Sequence, residues 1–375
     1  MFDKGLYLFS FICPIFFIPG WETNMAQGIF FVFGVFGLLA LSFMCKRQRE
    51  YKNIYLSLIV LWSLMGVFIH SFVMSDNKSF ISKFINFSLM SEGFIFVLCG
   101  AILFYLVVSY SKNFKIVYPV LAICVLNLFF ALGQRMGYDL IWQHTQLVTG
   151  RTIYGMMGTQ SQLALFSAMS IPIIWASTNI KSLIIIPIIN LCLGNIITGV
   201  ITLISAIFVY SLLKKRFKIA ELMFLFGLTG LLLRKFIPYP TPATPDILRH
   251  SLARLDLWWL TFKEIIIHPF LGWGFSNSIT GNFIYCKTAG GLSFRHNDFL
   301  NITKDLGIPF LVIGLLFLWS ALKNAKKDYL LLSIIITGVT CFYQTNLYFV
   351  RIAVLAIIIL GLIQTNKGVK DARGF

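Results

Sequence analysis

Apolar runs of membrane-spanning length recur from one end of the chain to the other. They fall at about 5–19, 28–45, 54–74, 93–111, 116–133, 160–178, 182–194, 197–213, 218–233, 306–322, 329–345 and 348–364. Stretches such as 54–74 and 94–110 are apolar on every face, whereas the strands of a transmembrane barrel alternate apolar and polar positions over about ten residues. The pattern therefore predicts an all-α, polytopic membrane protein of about 12 transmembrane helices, with 1–375 forming one integral membrane domain. Several runs are shorter than the ~20 residues that a hydrocarbon core of ~30 Å requires. The pair 182–194 and 197–213 is decisive for topology, since one long helix there would invert everything downstream.

Between the runs, three polar segments stand out: 75–92, 134–159 and the 72-residue stretch 234–305. A connection as long as the last is usually functional. Its opening carries Pro238, Pro240, Pro242 and Pro245, which forbid helix there. Helical spacing resumes over 250–268, where Leu252, Leu255, Trp259, Phe262 and Ile266 fall within one stripe at 100° per residue. That is the pattern of a helix lying on a membrane or protein surface. Arg254, Trp258 and Thr261 line up on a different face, and Pro269 ends the helix. His268, Pro269, Gly272 and Gly274 read as makers of a turn.

Composition agrees with this reading and charge orients it. The chain is 58% hydrophobic and only 12% charged, with a mean hydropathy of +0.83, far from the roughly 25% charged residues of a soluble domain. The formal net charge of +17 sits mostly in short clusters between apolar runs, where topology signals belong, so nucleic acid is not expected as a partner. With both termini and alternate loops counted as one side, that side holds 18 Lys and Arg residues; the other holds 13, of which 8 lie in 234–305. The positive-inside rule then predicts cytoplasmic termini and an outer-face 234–305 loop. The first run follows Lys4 like a signal peptide, yet no small-x-small cleavage site precedes Trp21, so it is read as the first helix. Seven cysteines without C-x-x-C spacing indicate neither a disulfide framework nor a metal site.

Nucleotide-phosphate and zinc-protease signatures are absent, and Gly272-Trp273-Gly274 lacks the rest of a dinucleotide fingerprint. What remains is a basic, outward-facing set: Arg151 before the sixth helix, Arg254 on the amphipathic helix, and Arg295-His296-Asn297-Asp298 before the tenth. Two guanidinium forks suit a diphosphate, and a neighbouring histidine suits proton transfer. Taken alone, each has a plainer reading, as an interfacial anchor or a loop residue.

The order and spacing of these residues resemble the O-antigen ligase and polymerase superfamily. The similarity is carried by Ala253-Arg254-Leu255-Asp256-Leu257-Trp258, by His268-Pro269-Phe270-Leu271-Gly272-Trp273-Gly274, and by His296-Asn297-Asp298-Phe299-Leu300 with Lys304-Asp305-Leu306-Gly307. Upstream, Arg151-Thr152-Ile153-Tyr154-Gly155 and Gln160-Ser161-Gln162-Leu163-Ala164 resemble the family's approach to its sixth helix, so 150–320 is the region of clearest similarity.

The resemblance implies a GT-C-like glycosyltransferase of the bacterial inner membrane, without metal or other cofactor. It would move a glycan from undecaprenyl diphosphate to a sugar hydroxyl of a glycan or of the lipid A core, among membrane lipids and with a polysaccharide chain-length regulator as a further partner. It makes His296 the catalytic base and Arg254 a diphosphate ligand, with Arg151 as the second. Arg295, Asn297, Asp298 and Asp305 are supporting candidates. Asp298 and Asp305 would orient His296 or pair with Arg254, and Asp305, placed near the start of the tenth helix, would equally suit the helix dipole. One departure is that Asn195-Ile196-Ile197-Thr198-Gly199 lacks the basic residue that ligases carry at the outer end of the eighth helix. The alternative class is a transporter or flippase of lipid-linked glycans, which would need a polar path that the helix middles do not offer.

Overall fold

In the computed structural model the described residues are 1–16, 23–70, 86–87, 91–136, 138, 155–157, 159–194, 196–215, 247–275, 283–286, 291–294, 297–323, 325–342 and 350–365. They form α1 (Phe2–Ile15), α2 (Thr23–Phe43), α3 (Ile54–Phe68), α4 (Phe94–Tyr110), α5 (Val117–Arg135), α6 (Gln160–Ser177), α7 (Ile185–Leu193), α8 (Ile196–Leu213), α9 (Ile247–Ile267), α10 (Asp298–Leu322), α11 (Asp328–Cys341) and α12 (Val350–Thr365). Three are long and apolar enough to cross a membrane, over Ala26–Phe43, Val117–Arg135 and Asp298–Leu322; six shorter helices are also apolar. The chain is a helical protein of membrane-spanning character.

The distribution of side chains is that of a body surrounded by hydrocarbon. Phe33, Phe43, Phe129 and Trp319 face outward, while Gln27, Ser63, Asn127, Asn190 and Thr340 are wholly buried. Inside, these polar groups join helices. Asn190 Nδ2 donates to the Cys124 carbonyl at 2.8 Å, Ser333 Oγ to the Met169 carbonyl at 3.0 Å, and Gln27 Nε2 to the Pro14 carbonyl at 3.1 Å. Without an apolar-versus-water driving force between helices in lipid, close packing and such bonds carry the association.

α6 is buried along most of its length and packs on α5, α7, α8 and α11. A second group joins α4 to α2, α3 and α12, while α10 takes α3 on one side and α9 on another. Small residues set the closest approaches: a Cβ on Gly361 of α12 would stand 2.7 Å from Val107 Cγ1 of α4.

Eleven of the twelve expected helices are found, and the twelfth, 218–233, lies outside the described residues, as do 366–375 and most of 134–159. Among the described residues the amphipathic α9 brings the number of helices to twelve. The 182–194 and 197–213 pair is two helices, α7 and α8, the first led by a 3-10 turn at Lys181–Ile184. A Cβ on Gly199 would meet Leu191 Cγ at 2.7 Å, which no continuous helix permits over eight residues, about 12 Å of rise, so the chain reverses there.

Two expectations are corrected. Residues 75–92 and 234–305 are not purely loop and helix: Asn86–Phe87 (β1) pairs antiparallel with Ser91–Glu92 (β2), and Phe283–Cys286 (β3) with Gly291–Phe294 (β4). The tenth helix begins at Asp298 rather than 306, so the long connection ends eight residues early. Lys304 and Asp305 hid it, because adjacent charges at the edge of an apolar run read as loop.

Gly361→Ala forces a methyl group into Val107 and is expected to cost roughly 1–3 kcal/mol. Gly338→Ala, where a Cβ meets nothing within 4 Å, should be neutral or gain up to about 1 kcal/mol of helix propensity. Thermal unfolding of the detergent-solubilised variants separates them; equal midpoints would contradict the α4–α12 contact.

Candidate functional site

α9 presents two unlike faces. Leu255, Trp259, Phe262 and Ile266 are all exposed, while Leu257, Thr261 and Ile265 are buried on the side that packs against α10. Thr261 Oγ1 turns back to the Leu257 carbonyl at 2.7 Å. Arg254 and Trp258 are half-buried, and Arg254 lies on the same arc as Thr261, two turns away. Lys263 is exposed and stands over the Trp259 ring, 5.4 Å from its centroid.

Past α9 the chain turns sharply through His268–Phe275. Gly272 and Gly274 have φ of +66° and +82°, in the left-handed region that glycine adopts without strain, and the Gly272 N–H donates to the His268 carbonyl at 3.0 Å. Trp273 Nε1 donates to the Glu264 carbonyl at 2.9 Å, and its ring meets His268 edge-on. The glycines thus act as turn-makers, and their reason is proximity as much as curvature: a Cβ on Gly272 would lie 2.5 Å from the Lys304 carbonyl oxygen.

The partner of this turn is a break in α10. At Gly307 the backbone leaves helical geometry (φ +82°, ψ 169°), and Pro309 follows. In a continuous helix the carbonyls of 304, 305 and 306 would accept from the N–H groups of 308, 309 and 310, and Pro309 has none. Other donors take their place. The N–H groups of Trp273 and Gly274 reach the carbonyls of Lys304 and Asp305, each at 2.8 Å, and Trp62 Nε1 of α3 reaches that of Leu306 at 2.9 Å. The Ile308 N–H freed by the break donates to the Pro269 carbonyl at 2.7 Å. His70, 2% exposed, braces the turn, its Nε2 lying 3.2 Å from the Leu271 carbonyl.

The start of α10 is equally fixed. Asn297 caps it, Oδ1 accepting from the Leu300 N–H at 3.0 Å while Nδ2 donates to the Phe342 carbonyl at 2.9 Å. Asp298 is buried in the first turn and hydrogen-bonds Cys341 of α11. Asn301, wholly buried, has no hydrogen-bond partner among the described residues for either amide atom. Next comes an ion pair inside the body: Lys304 Nζ and Asp305 Oδ1 are 2.6 Å apart, with both side chains at most 2% exposed.

A separate clamp holds the approach to α6. Gln134 of α5 accepts from the Gly155 N–H at 2.9 Å and donates back to its carbonyl at 3.2 Å. Asn127 Oδ1 accepts from the Met156 N–H at 2.8 Å. Thr159 then caps α6 by accepting from the Gln162 N–H at 3.1 Å.

No family model matches the chain, and no curated protein matches it.

Of the residues singled out from sequence, Arg254, Asn297, Asp298 and Asp305 are described; Arg151, Arg295 and His296 lie outside the described residues. The structure brings the 268–274 and 304–307 segments into direct backbone contact and puts Arg254 on the body-facing side of α9. Asp305 does not serve the helix dipole, which acts within the first turn, because it is the eighth residue of α10 and pairs with Lys304. Sequence reasoning missed His70, Trp62, Asn301 and Lys304. For His70 and Trp62 a signal existed, polar rings within the apolar run 54–74; Lys304 stood in the motif Lys304-Asp305-Leu306-Gly307 without a role of its own, and for Asn301 no signal existed while the helix start was set at 306.

Gly307→Ala would place a Cβ 2.0 Å from the Phe270 carbonyl oxygen at a left-handed position, where backbone strain alone costs about 1–3 kcal/mol. A large loss of thermal stability is expected beside a near-neutral Gly314→Ala, whose Cβ meets nothing within 4 Å. Similar melting of the two variants would mean that the break is dispensable.

Asp305→Asn leaves the Lys304 ammonium buried without its carboxylate, a change that typically costs about 3–5 kcal/mol, whereas removing both charges of a buried pair is often neutral. Lys304→Met combined with Asp305→Asn should therefore melt well above Asp305→Asn alone. Additive losses in this double-mutant comparison would show that the two side chains do not interact.

Proposed function

We propose that the chain is a metal-independent membrane glycosyltransferase of the O-antigen polymerase or ligase kind. It joins a glycan carried on undecaprenyl diphosphate to an acceptor sugar hydroxyl at the outer face of the bacterial inner membrane. The reading includes twelve membrane spans in a GT-C-like arrangement, with cytoplasmic termini and an outer 234–305 segment. One observation supports it above the rest: the two motif segments that carry the family resemblance, 268–274 and 304–307, dock on each other through their backbones. A chance match of motifs has no reason to produce an interlocking pair.

In the reaction the acceptor oxygen attacks the anomeric carbon as the bond from that carbon to the diphosphate oxygen breaks, with inversion. His296 takes the hydroxyl proton as general base, the role that histidine most often plays in proton transfer. Arg254 and Arg151 bind the diphosphate and stabilise the charge it gains, a contribution typically of about 3 kcal/mol for one fixed donor. Asn297, the neighbour of His296 in sequence, caps α10 and bridges to Phe342; both bonds give the general base a fixed point of attachment. Asp298 and Asp305 act within the body rather than on the substrate, through Cys341 and Lys304.

The test is transfer by the purified, reconstituted protein from a polyprenyl-diphosphate-linked glycan. His296→Ala should lower the rate by roughly 10²–10⁴-fold with carrier binding retained. Arg254→Lys should be far more damaging than Lys263→Arg, because an ammonium lacks the bidentate fork and Lys263 sits on the exposed side of α9. Asn297→Ala should cost about 1 kcal/mol of stability through the lost cap and lower transfer with it. Full activity of a well-folded His296→Ala protein would remove the general base from the mechanism, and movement of the glycan across the bilayer without new glycosidic bonds would point to a flippase.

A further inference from the structure

Five helices leave a long apolar cavity between them, of about 320 Å³. Its walls come from α2, α3, α4, α10 and α12, and its bulkiest lining side chains are phenylalanines, among them Phe31, Phe96, Phe104, Phe310 and Phe317. Small residues make the room: Gly100 and Ala101 on α4, and Ala353 and Ala356 on α12. Among the described lining residues Asp305 alone carries a charge, at one end beside Phe275 and Gly93.

The dimensions define the occupant. Along α4 the lining runs from Gly93 to Phe104, about 16 Å at 1.5 Å per residue. A volume of about 320 Å³ spread over that length has the girth of one unbranched hydrocarbon chain. A methylene group fills about as much space as a water molecule in the liquid, roughly 30 Å³, so about ten methylenes fit. A void of this size forfeits the dispersion contacts of its walls, and among the described lining residues water finds a polar side chain only in Asp305. α2 and α10, two of the walls, are among the helices long and apolar enough to lie in a bilayer, which supplies hydrocarbon chains.

The head group is constrained by the charged end. Asp305 is neutralised by Lys304 at 2.6 Å, and among the described lining residues none is a cation, so none of them attracts an anionic phosphate or diphosphate. We propose that the cavity holds one acyl chain of a zwitterionic bilayer phospholipid, bound as a structural lipid between α4, α10 and α12. The chain lies against Leu306 and Phe310, on either side of the Gly307 break, so it packs the wall behind the interlocked turn. This site goes beyond the transferase reading and does not depend on it.

The experiment uses the full-length protein in phosphatidylcholine vesicles containing a phosphatidylethanolamine with a diazirine on its acyl chain. After irradiation, labelled peptides are mapped by mass spectrometry, with no glycan donor present, so the result is separable from the fate of the transferase mechanism. Label is expected on 93–104 and 302–318 above the level on the lipid-facing side of α5 around Phe129. Ala101→Phe and Ala353→Phe, which fill the cavity from different helices, should each remove that excess while leaving the α5 label unchanged. For wild type, undecaprenyl phosphate added as competitor should leave the excess in place. Label no higher than on α5, excess label that persists in both filled variants, or displacement by undecaprenyl phosphate would each overturn the proposal, the last by giving the cavity to a prenyl carrier. The competition arm needs no variant to fold.

Discussion

The structure depends on one exchange of backbone hydrogen bonds. A helix broken inside an apolar environment exposes carbonyls and N–H groups that water is not there to satisfy, and each costs several kcal/mol if left alone. α10 is broken at Gly307, yet the carbonyls of 304, 305 and 306 and the N–H of 308 all have partners, three of them on the His268–Phe275 turn and one on α3. Each half of this contact supplies partners that the other lacks. The turn needs glycine at 272 and 274 because α10 is so close, and α10 tolerates Gly307 and Pro309 because the turn supplies what the helix lost.

From that exchange the placement of the surrounding groups follows. The turn fixes the end of α9, hence the rotation of α9 about its axis, hence the side on which Arg254 lies. The break fixes the first half of α10, whose cap at Asn297 is tied in turn to the carbonyl at the end of α11. α11 is bound to α6 through Ser333 and Met169, and α6 starts from a loop clamped by Asn127 and Gln134. A chain of polar contacts therefore links the three segments that resemble one family, through elements far apart in sequence. Non-helical backbone at membrane depth is tolerated where protein covers it, and discontinuous helices of this kind are common where membrane proteins bind polar substrates.

Much of this was legible in the sequence, and the failures share a cause. Apolar run length located eleven helices because a hydrocarbon environment demands uninterrupted apolar faces. The period of Leu255, Trp259, Phe262 and Ile266 identified α9 and its outward stripe, and Pro269 marked its end. Hydropathy failed where polar residues are buried by specific partners. Lys304 and Asp305 cancel each other, so a segment that reads as charged loop is a largely interior helix. His70 and Trp62 vanished into a run judged apolar throughout, because the turn absorbs His70 Nε2 and the broken helix absorbs Trp62 Nε1. Register within the chain reveals such residues only once the partner segment is known, and the partners lie about 200 residues and more away.

The Lys304–Asp305 pair shows what that burial selects. Consecutive helical residues point about 100° apart and do not face each other, so the pair closes only because the flexible lysine stem curls back to its neighbour. Such a pair gains little net stability, since desolvating both ions offsets their attraction. Its effect is on choice of conformation. With α10 pulled away from the turn, the same two residues would expose a charge pair and two unpaired carbonyls to hydrocarbon together. The interlocked arrangement satisfies all of them at once, so separation is penalised on several counts that arise at the same residues. A membrane protein that must hold a broken helix in one geometry, without water to correct a misplaced bond, gains specificity from placing the charges where the hydrogen-bond ladder is interrupted.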